Sequence, residues 1–328
     1  ILERFTVNLT GNKLAGRIAP FLLFFSGGLG FVWFAKDYWE QGKGLWELIW
    51  QLPRDYTIGD KFRWGNSLVV LFITQRSLLL GMPITLLVLG YLWRVFVPDV
   101  DEAGESKTPD GPAAAALVKP FVVGVLAGML PLIHLHSLAV LFVVTAVCFL
   151  FRPEKWRDWI AFGIGVSLIA VPELAWSMAG SASEASKFIG WNFGWDKGDT
   201  NVLWFWLKNT GIVIPMIAVG VYVLLSSGKA GEADRPKNAV KMPDGRTLLV
   251  FYIPFLMLFI VSNAVKLAPW EWDNIKILIY WFVGSLPLIA YAIAWAWESG
   301  RALKAAAIAC ILVLTLAGGL DAGVLRMG

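Results

Sequence analysis

Long apolar runs, each followed by a shorter polar stretch, repeat along most of the chain. About nine of them approach the roughly 20 residues that a helix needs to cross a hydrocarbon core of about 30 Å. The predicted spans are residues 18–35, 77–97, 115–133, 137–151, 159–176, 208–226, 248–264, 277–297 and 303–320. The pattern predicts an all-α integral membrane protein, with about nine transmembrane helices in one polytopic domain over residues 1–328.

The third and fourth predicted spans belong to one nearly unbroken apolar stretch from Leu117 to Phe151. That stretch is too long for a single crossing, so we divide it at the sequence PLIHLHS, from Pro131 to Ser137. The two halves are predicted to form a tight hairpin with His134 and His136, the only histidines of the chain, at its corner.

Basic residues set the predicted orientation, because cytoplasmic loops of membrane proteins carry an excess of Lys and Arg. The basic connection 152–159 and the linkers 98–114 and 227–247 are therefore placed in the cytoplasm together with the N-terminus. Residues 36–76 and 177–207 are then predicted to be extracytoplasmic loops. We expect short re-entrant or interfacial helices within them, because their apolar segments are too brief to cross.

Composition agrees with a membrane protein, since 16% of the residues are charged, against about 25% in soluble domains. The basic residues are scattered between apolar runs, which argues against a nucleic-acid partner. The chain has 18 tryptophans, and many of them lie with acids and amides in the predicted extracytoplasmic loops. Such loops can form a sugar-binding surface, because aromatic rings stack on sugar C–H groups. An aromatic belt at the membrane interface is the alternative.

Two cations, Arg76 and Lys276, lie at positions where the membrane interior or the helix dipole disfavours positive charge. Arg76 lies between two apolar runs, which suggests a phosphate ligand; snorkelling to lipid headgroups is the alternative. Lys276 falls in the first turn of a predicted helix, where the helix dipole disfavours a cation, whereas Asp273 and Asn274 before it fit the helix N-cap. Lys276 therefore predicts a nearby anion, which is Asp273, Glu271 or a bound phosphate.

Three stretches, taken together, resemble a known group of proteins. They are RWGNSLVVLFITQRSLLLGMP from Arg63, GWDKGDTNVLWFWLKNTGIVIP from Gly194 and PWEWDNIKILIYW from Pro269. With the intervening GMLPLIHLHSLAVL, they resemble bacterial multi-spanning membrane proteins similar to GT-C-type glycosyltransferases, which take a sugar from a polyprenyl-phosphate donor. The likeness covers most of residues 15–320 in order, and it looks like the later part of a longer enzyme.

The resemblance implies sugar transfer from a polyprenyl-phosphate donor to an acceptor on the extracytoplasmic face of a bacterial cytoplasmic membrane. It implies three sets of site residues, one for the donor phosphate, one for the sugar or acceptor and one, the two histidines, for a divalent metal. The donor phosphate would be bound by Arg76, Lys276, Gln75 and Lys208. The sugar or acceptor would be bound by Trp195, Asp196, Asn209, Trp272, Asp273 and Asn274. The metal would be bound by His134 and His136, which alternatively cap the hairpin or bind the phosphate or sugar directly.

The chain departs from that group where its catalytic acid is expected. The first predicted extracytoplasmic loop lacks a clear acid motif at the helix end, so the catalytic residue stays open among Asp37, Glu40, Asp196 and Asp273. A partner membrane subunit or an N-terminal half of the protein would then supply the acid. Two other functions remain, a transporter or flippase of a lipid-linked or small polar solute and a non-catalytic assembly subunit. Ionisable residues concentrate on the predicted extracytoplasmic side, which favours the enzyme.

Overall fold

The computed structural model describes residues 1–59, 62–97, 113–178, 189–227 and 245–324. Most of these residues are helical. The α-helices are α1 (Leu2–Thr10), α2 (Lys13–Phe25), α3 (Gly30–Gln41), α4 (Leu45–Trp50), α5 (Arg76–Phe96), α6 (Ala113–Gly128), α7 (Leu130–Phe151), α8 (Trp156–Met178), α9 (Val202–Thr210), α10 (Val213–Ser227), α11 (Gly245–Ala264), α12 (Ile275–Glu298) and α13 (Arg301–Val324). A π-helix covers Ser67–Phe72, 3-10 turns cover Pro153–Lys155 and Glu271–Asn274, and the short strands β1 (Gly190–Trp191) and β2 (Val265–Lys266) pair antiparallel.

Six described helices are long and apolar enough to cross a membrane, which confirms an all-α fold with candidate membrane-spanning helices. Two bent pairs, α2 with α3 at 52° and α9 with α10 at 84°, raise the number to eight if each pair is one span. The third predicted span, residues 115–133, corresponds to the shorter α6. The prediction of nine full spans is therefore not confirmed, because run length does not reveal where an apolar run breaks.

Around the predicted hairpin corner, the helical structure is interrupted at two positions. Helix α6 ends at Gly128 and α7 begins at Leu130, before the predicted corner. A second interruption lies inside α7 at His134, whose φ of −158° and ψ of 91° are not helical. Most of the predicted linkers 98–114 and 227–247 and part of the predicted loop 177–207 lie outside the described residues.

Helix α12 is the centre of the bundle. The apolar, membrane-length segment of α12 is 94% buried inside the protein, whereas the corresponding segments of α8 and α13 are 22% and 28% buried. Apolar side chains recur at helical spacing on the exposed surface of α8: Ile160, Ile164, Leu168 and Val171. An apolar exposed stripe is what a lipid-facing helix presents. The bundle therefore surrounds α12 and turns apolar faces outward.

Glycines allow α6 and α8 to pack with their backbones in close approach. A β-carbon at Gly165 of α8 would lie 2.2 Å from the carbonyl oxygen of Phe121, and one at Gly124 of α6 would lie 2.1 Å from that of Phe162. Small residues commonly allow such approach between membrane helices, where packing rather than hydrophobic burial drives association. Contact with α8 thus explains how the short α6 is held in the bundle.

We expect Gly165→Leu to destabilise the protein by about 1–3 kcal/mol, since the new side chain must force the α6 and α8 backbones apart. Gly163 on the same helix is the matched control, because a β-carbon there would have no atom within 4 Å. Gly163→Leu should therefore leave the thermal unfolding temperature in detergent close to that of the wild type. Equal unfolding temperatures for the two variants would contradict the close approach of α6 and α8.

The two ends of the bundle differ in character. At one, called here the aromatic end, residues 62–66, 194–196 and 270–274 meet, and the Trp272 indole N–H donates to the Arg63 carbonyl oxygen at 2.9 Å. At the opposite end, called the basic end, Arg152 after α7 donates to the Phe96 carbonyl oxygen of α5 at 2.8 Å. Which end faces the cytoplasm stays a prediction from the distribution of Lys and Arg.

Candidate functional site

Trp195, predicted to line a sugar site, lies in a buried aromatic cluster at the aromatic end. Its side chain is 1% exposed, and its ring centroid lies 5.7 Å from that of Trp206 and 6.2 Å from that of Trp64. Its indole N–H donates to the carbonyl oxygen of Glu271 at 2.9 Å. The backbone at Trp195 has a φ of 58°, which is uncommon for a bulky residue. Burial keeps this ring away from any ligand in solution.

Asn209, also predicted for the sugar, joins two segments of the aromatic end. Its side-chain oxygen accepts from the backbone N–H of Arg63 at 2.6 Å and of Trp64 at 3.1 Å, and its amide nitrogen donates to the Phe205 carbonyl oxygen at 2.9 Å. The side chain is 2% exposed. The residue thus fastens the loop before the π-helix to α9.

Asn274 has a similar place beside α12. Its amide nitrogen donates to the carbonyl oxygens of Ser262 at 2.9 Å and Val265 at 2.7 Å, and its oxygen accepts from the backbone N–H of Leu267 at 3.0 Å. Although Asn274 occupies the N-cap position of α12, its side chain makes no capping hydrogen bond. The prediction that the Asn274 side chain caps α12 is wrong, because this side chain makes its hydrogen bonds within the connection from α11 to α12 instead.

Two of the candidate acids, Asp37 and Glu40, lie on α3. Asp37 is 3% exposed and accepts hydrogen bonds from both ends of the Arg54 guanidinium and, at 2.8 Å, from the Tyr56 hydroxyl. Burial and the bond to Asp37 raise the pKa of Tyr56. Glu40 is exposed and lies 3.5 Å from Lys36, one turn earlier. Asp37 thus belongs to a buried hydrogen-bond network, and Glu40 to a surface ion pair of small energetic effect.

Asp196 forms an ion pair at the aromatic end. Its carboxylate lies 3.1 Å from the Arg63 Nε. Burial raises the pKa of Asp196, the Arg63 charge opposes that rise and the charge of Glu271 adds to it. Trp272, half-buried, donates its indole N–H to the Arg63 backbone, so that Arg63 connects both predicted sugar-site residues.

Arg76 begins α5 with an exposed side chain, and it makes no hydrogen bond or ion pair with any residue that the structure describes. Gln75 precedes it as the half-buried N-cap residue, without a capping bond. Lys208 lies over the ring of Phe62 at 5.8 Å. No contact joins Arg76 to Lys276 within the described residues, so their convergence on one phosphate stays a prediction.

Four of the predicted residues come together at the start of α12. Lys276 Nζ lies 3.2 Å from Asp273 Oδ1, and both side chains are about three-quarters or more buried. The charge of Lys276 acts on the imidazoles of His134 and His136, and that of Asp273 acts on His136. The anion that Lys276 predicted is therefore present as Asp273, while Glu271 pairs with a different lysine.

A hydrogen-bonded chain leads from this cluster into the bundle. His134 Nδ1 lies 2.8 Å from the Ser137 hydroxyl, which in turn bonds the Tyr280 hydroxyl, with Thr85 of α5 as a further partner of Tyr280. His134 is 6% exposed, and its Nε2 has no hydrogen-bond partner in the described part of the chain. Because buried polar atoms are normally hydrogen-bonded, Nε2 calls for a ligand or water.

Sequence reasoning missed Ser137, Tyr280 and Thr85. A signal was present for one of them, because Tyr280 follows Lys276 by one helical turn and so shares its face of α12. Nothing in the sequence pairs Ser137 with Tyr280, which lie 143 positions apart.

An apolar groove between α7, α11 and α12 opens beside the cluster, with a volume of about 390 Å³. His136 is the only polar residue in its lining, and Ile277, next to Lys276, is part of its wall. The remaining lining residues are Leu135, Ala139, Val140, Val143, Met257, Leu258, Val261 and Leu267. Leu135 is 50% and Val261 42% exposed, so the groove opens onto the outer surface of the bundle.

A metal site at the histidines finds little support in this geometry. The rings of His134 and His136 have centroids 5.3 Å apart. Among the described residues, no group of three or more His, Cys, Asp or Glu side chains could hold a metal ion. Two imidazoles are too few for a structural zinc site.

Comparison of the chain with models of protein families, with curated proteins and with solved structures gives no match. The likeness to GT-C-type glycosyltransferases therefore stays an expectation from the sequence, and the site must be interpreted from its own geometry.

Proposed function

We propose that the groove between α7, α11 and α12 binds a lipid-linked phosphate, and that the protein is a glycosyltransferase-like membrane protein with a polyprenyl-phosphate sugar as donor. One observation carries the proposal: an apolar groove open to the bundle surface lies beside a lysine and two imidazoles. A polyprenyl phosphate has the matching form, an apolar chain that ends in an anion. The lining of the groove suits the chain, and Lys276 suits the phosphate.

The polar end of the groove has the groups that a phosphate needs. Lys276 provides a charge that is about three-quarters buried, where electrostatic attraction exceeds that in open water. His136 lines the groove itself, and the Nε2 of His134 lacks a partner among the described residues. A phosphate oxygen can accept charge-assisted hydrogen bonds from such donors, which are roughly twice as strong as neutral ones.

For sugar transfer, we assign the general base to Asp273. The carboxylate takes the proton of an acceptor hydroxyl while that oxygen bonds to the anomeric carbon of the sugar. The bond from this carbon to the phosphate oxygen breaks, and its electron pair leaves with the phosphate. Lys276 and the imidazoles stabilise the charge that develops there. Asp273 is the candidate acid in contact with Lys276, whereas Asp37 and Asp196 are paired with arginines.

A non-catalytic lipid-binding subunit is the second candidate function. The same ion pair favours it, because Asp273 Oδ1 lies 3.2 Å from Lys276 Nζ and, as the counterion of that lysine, is less available to an acceptor hydroxyl. Such a subunit would bind the donor and rely on a partner membrane subunit, or on a preceding part of the protein, for its catalytic acid.

Donor turnover separates the two functions. The full chain in lipid nanodiscs is incubated with a polyprenyl phosphate that carries a labelled hexose, with extracted membranes as the source of acceptor. We expect the donor to be consumed, and Asp273→Asn to slow its consumption about 100-fold or more. Glu40→Gln, the control on the exposed face of α3, should match the wild type. Donor that binds but is not consumed would contradict catalysis and leave the lipid-binding subunit.

A further inference from the structure

A second groove lies at the basic end of the bundle, between α1, α5, α6 and α8. It consists of two adjoining cavities of about 550 and 300 Å³. Both cavities are lined by Asn8, Tyr91, Arg94 and Lys119, so they form one continuous space, called here the basic groove. It belongs to a different end of the molecule from the groove beside Lys276.

Positive charge outweighs negative charge in the basic groove. Its cationic lining residues are Arg4, Arg94, Lys119 and Lys155, and its acidic lining residue is Asp158. Arg4 and Arg94 are exposed and form no ion pair with any described residue. Like charges that face one cavity repel each other, and a bound anion removes that repulsion.

Lys119 is a cation that lines both cavities. It lies in the second turn of α6, beyond the first turn in which the helix dipole acts. Its ammonium group stands 5.9 Å from the centre of the Tyr91 ring, over the groove. Arg94, in contrast, lies in the last turn of α5, where the dipole favours a cation. An anion bound between them would neutralise both cations.

The smaller cavity continues from these cations along apolar side chains. Leu86 and Leu87 of α5 line it with Phe5 of α1 and Val123 of α6. Leu87 lies seven residues before Arg94, which corresponds to about 10 Å along a helix. The ligand that fits has an anionic head beside Arg94 and Lys119 and an apolar tail that follows α5 into the bundle surface.

Helix α1 forms one wall of the groove. It buries Leu2, Phe5 and Leu9 on one face and exposes Arg4 on the other. The Trp93 indole N–H holds it by donating to the Asn8 carbonyl oxygen at 3.0 Å. The packed apolar face therefore fixes Arg4 and Asn8 at the wall of the groove.

We propose that the basic groove binds the headgroup of an anionic phospholipid, with Arg94 and Lys119 as the main ligands of its phosphate. Basic pockets between membrane helices with apolar walls suit such headgroups. Free phosphate has the same anionic group as the lipid headgroup, but only the lipid also has an apolar tail that fits the apolar wall of the smaller cavity. The proposal does not depend on the function proposed for the groove beside Lys276.

The test uses the full chain, purified in dodecyl maltoside and titrated with phosphatidylglycerol, phosphatidylcholine or inorganic phosphate. Native mass spectrometry counts bound lipid, and thermal unfolding reports stabilisation. We expect the wild type to bind phosphatidylglycerol about tenfold more tightly than phosphatidylcholine. The double variant Arg94→Gln with Lys119→Gln should lose this preference. Exchange of the two residues, Arg94→Lys with Lys119→Arg, should keep it.

The control is Arg17→Gln with Arg301→Gln, which removes two exposed cations of the same end that do not line the groove. It should keep the preference for phosphatidylglycerol. Equal binding of the two lipids by the wild type would overturn the proposal, and this comparison does not require any variant to fold. Stabilisation by inorganic phosphate equal to that by phosphatidylglycerol would overturn the lipid as the ligand.

Discussion

Trp195→Ala is expected to reduce the free energy of unfolding by about 3–5 kcal/mol, the usual effect of removing a buried tryptophan ring. The ring is 1% exposed and packs edge-on or stacked against other tryptophans of the aromatic end. Its loss would leave a cavity and remove the hydrogen bond to the Glu271 carbonyl oxygen. Thermal and denaturant unfolding in detergent measure the effect.

Trp191 in the same segment is the matched control, because its side chain is 79% exposed. Trp191→Ala should change the free energy of unfolding by no more than about 0.5 kcal/mol. A Trp195→Ala variant that is as stable as Trp191→Ala but fails to bind the sugar donor would contradict the structural role, and would return Trp195 to the sugar site.

Lys276→Gln is expected to weaken the binding of polyprenyl phosphate about 30-fold. That figure corresponds to about 2 kcal/mol, within the range for a hydrogen bond to a charged group. Lys276→Arg should retain most of the affinity, since it keeps the charge. Competition against a fluorescent polyprenyl phosphate in nanodiscs measures the dissociation constant for each variant.

Two controls accompany the Lys276 variants. Lys304→Gln removes a lysine of the opposite end, which lies 4.1 Å over the Trp297 ring, and should leave the affinity unchanged. Asp273→Asn removes the anion that competes for Lys276, so it should bind the lipid at least as tightly as the wild type. Equal affinity of the wild type and Lys276→Gln would remove Lys276 from the phosphate site.

The class of fold was predictable because the bilayer thickness sets the length of an apolar run. The breaks inside those apolar runs were not predictable, because they are caused by contacts with distant parts of the chain. At Gly28, between α2 and α3, a β-carbon would lie 2.1 Å from the carbonyl oxygen of Lys208. Close approach of that distant backbone fits only glycine, and nothing in residues 18–35 alone indicates it.

The candidate site was predictable where a residue conflicted with its local surroundings. Lys276 conflicts with the dipole of its own helix, and the expected anion is present as Asp273. Trp195 and Asn209 were selected from loop composition, which does not distinguish a side chain that faces a ligand from one that packs inside the loop. The contacts that bury these two residues come from segments far away in the sequence.

The most direct test of the lipid-phosphate site is photo-crosslinking of the wild-type chain in nanodiscs with a polyprenyl phosphate that carries a diazirine on its first isoprene unit. Peptide mapping by mass spectrometry locates the label, and excess unlabelled polyprenyl phosphate identifies specific attachment. We expect specific label on the groove residues of α7, α11 and α12, such as Val143, Val261 and Ile277. Label confined to the lipid-facing side of α8 and α13, or label that the competitor does not reduce, would contradict it.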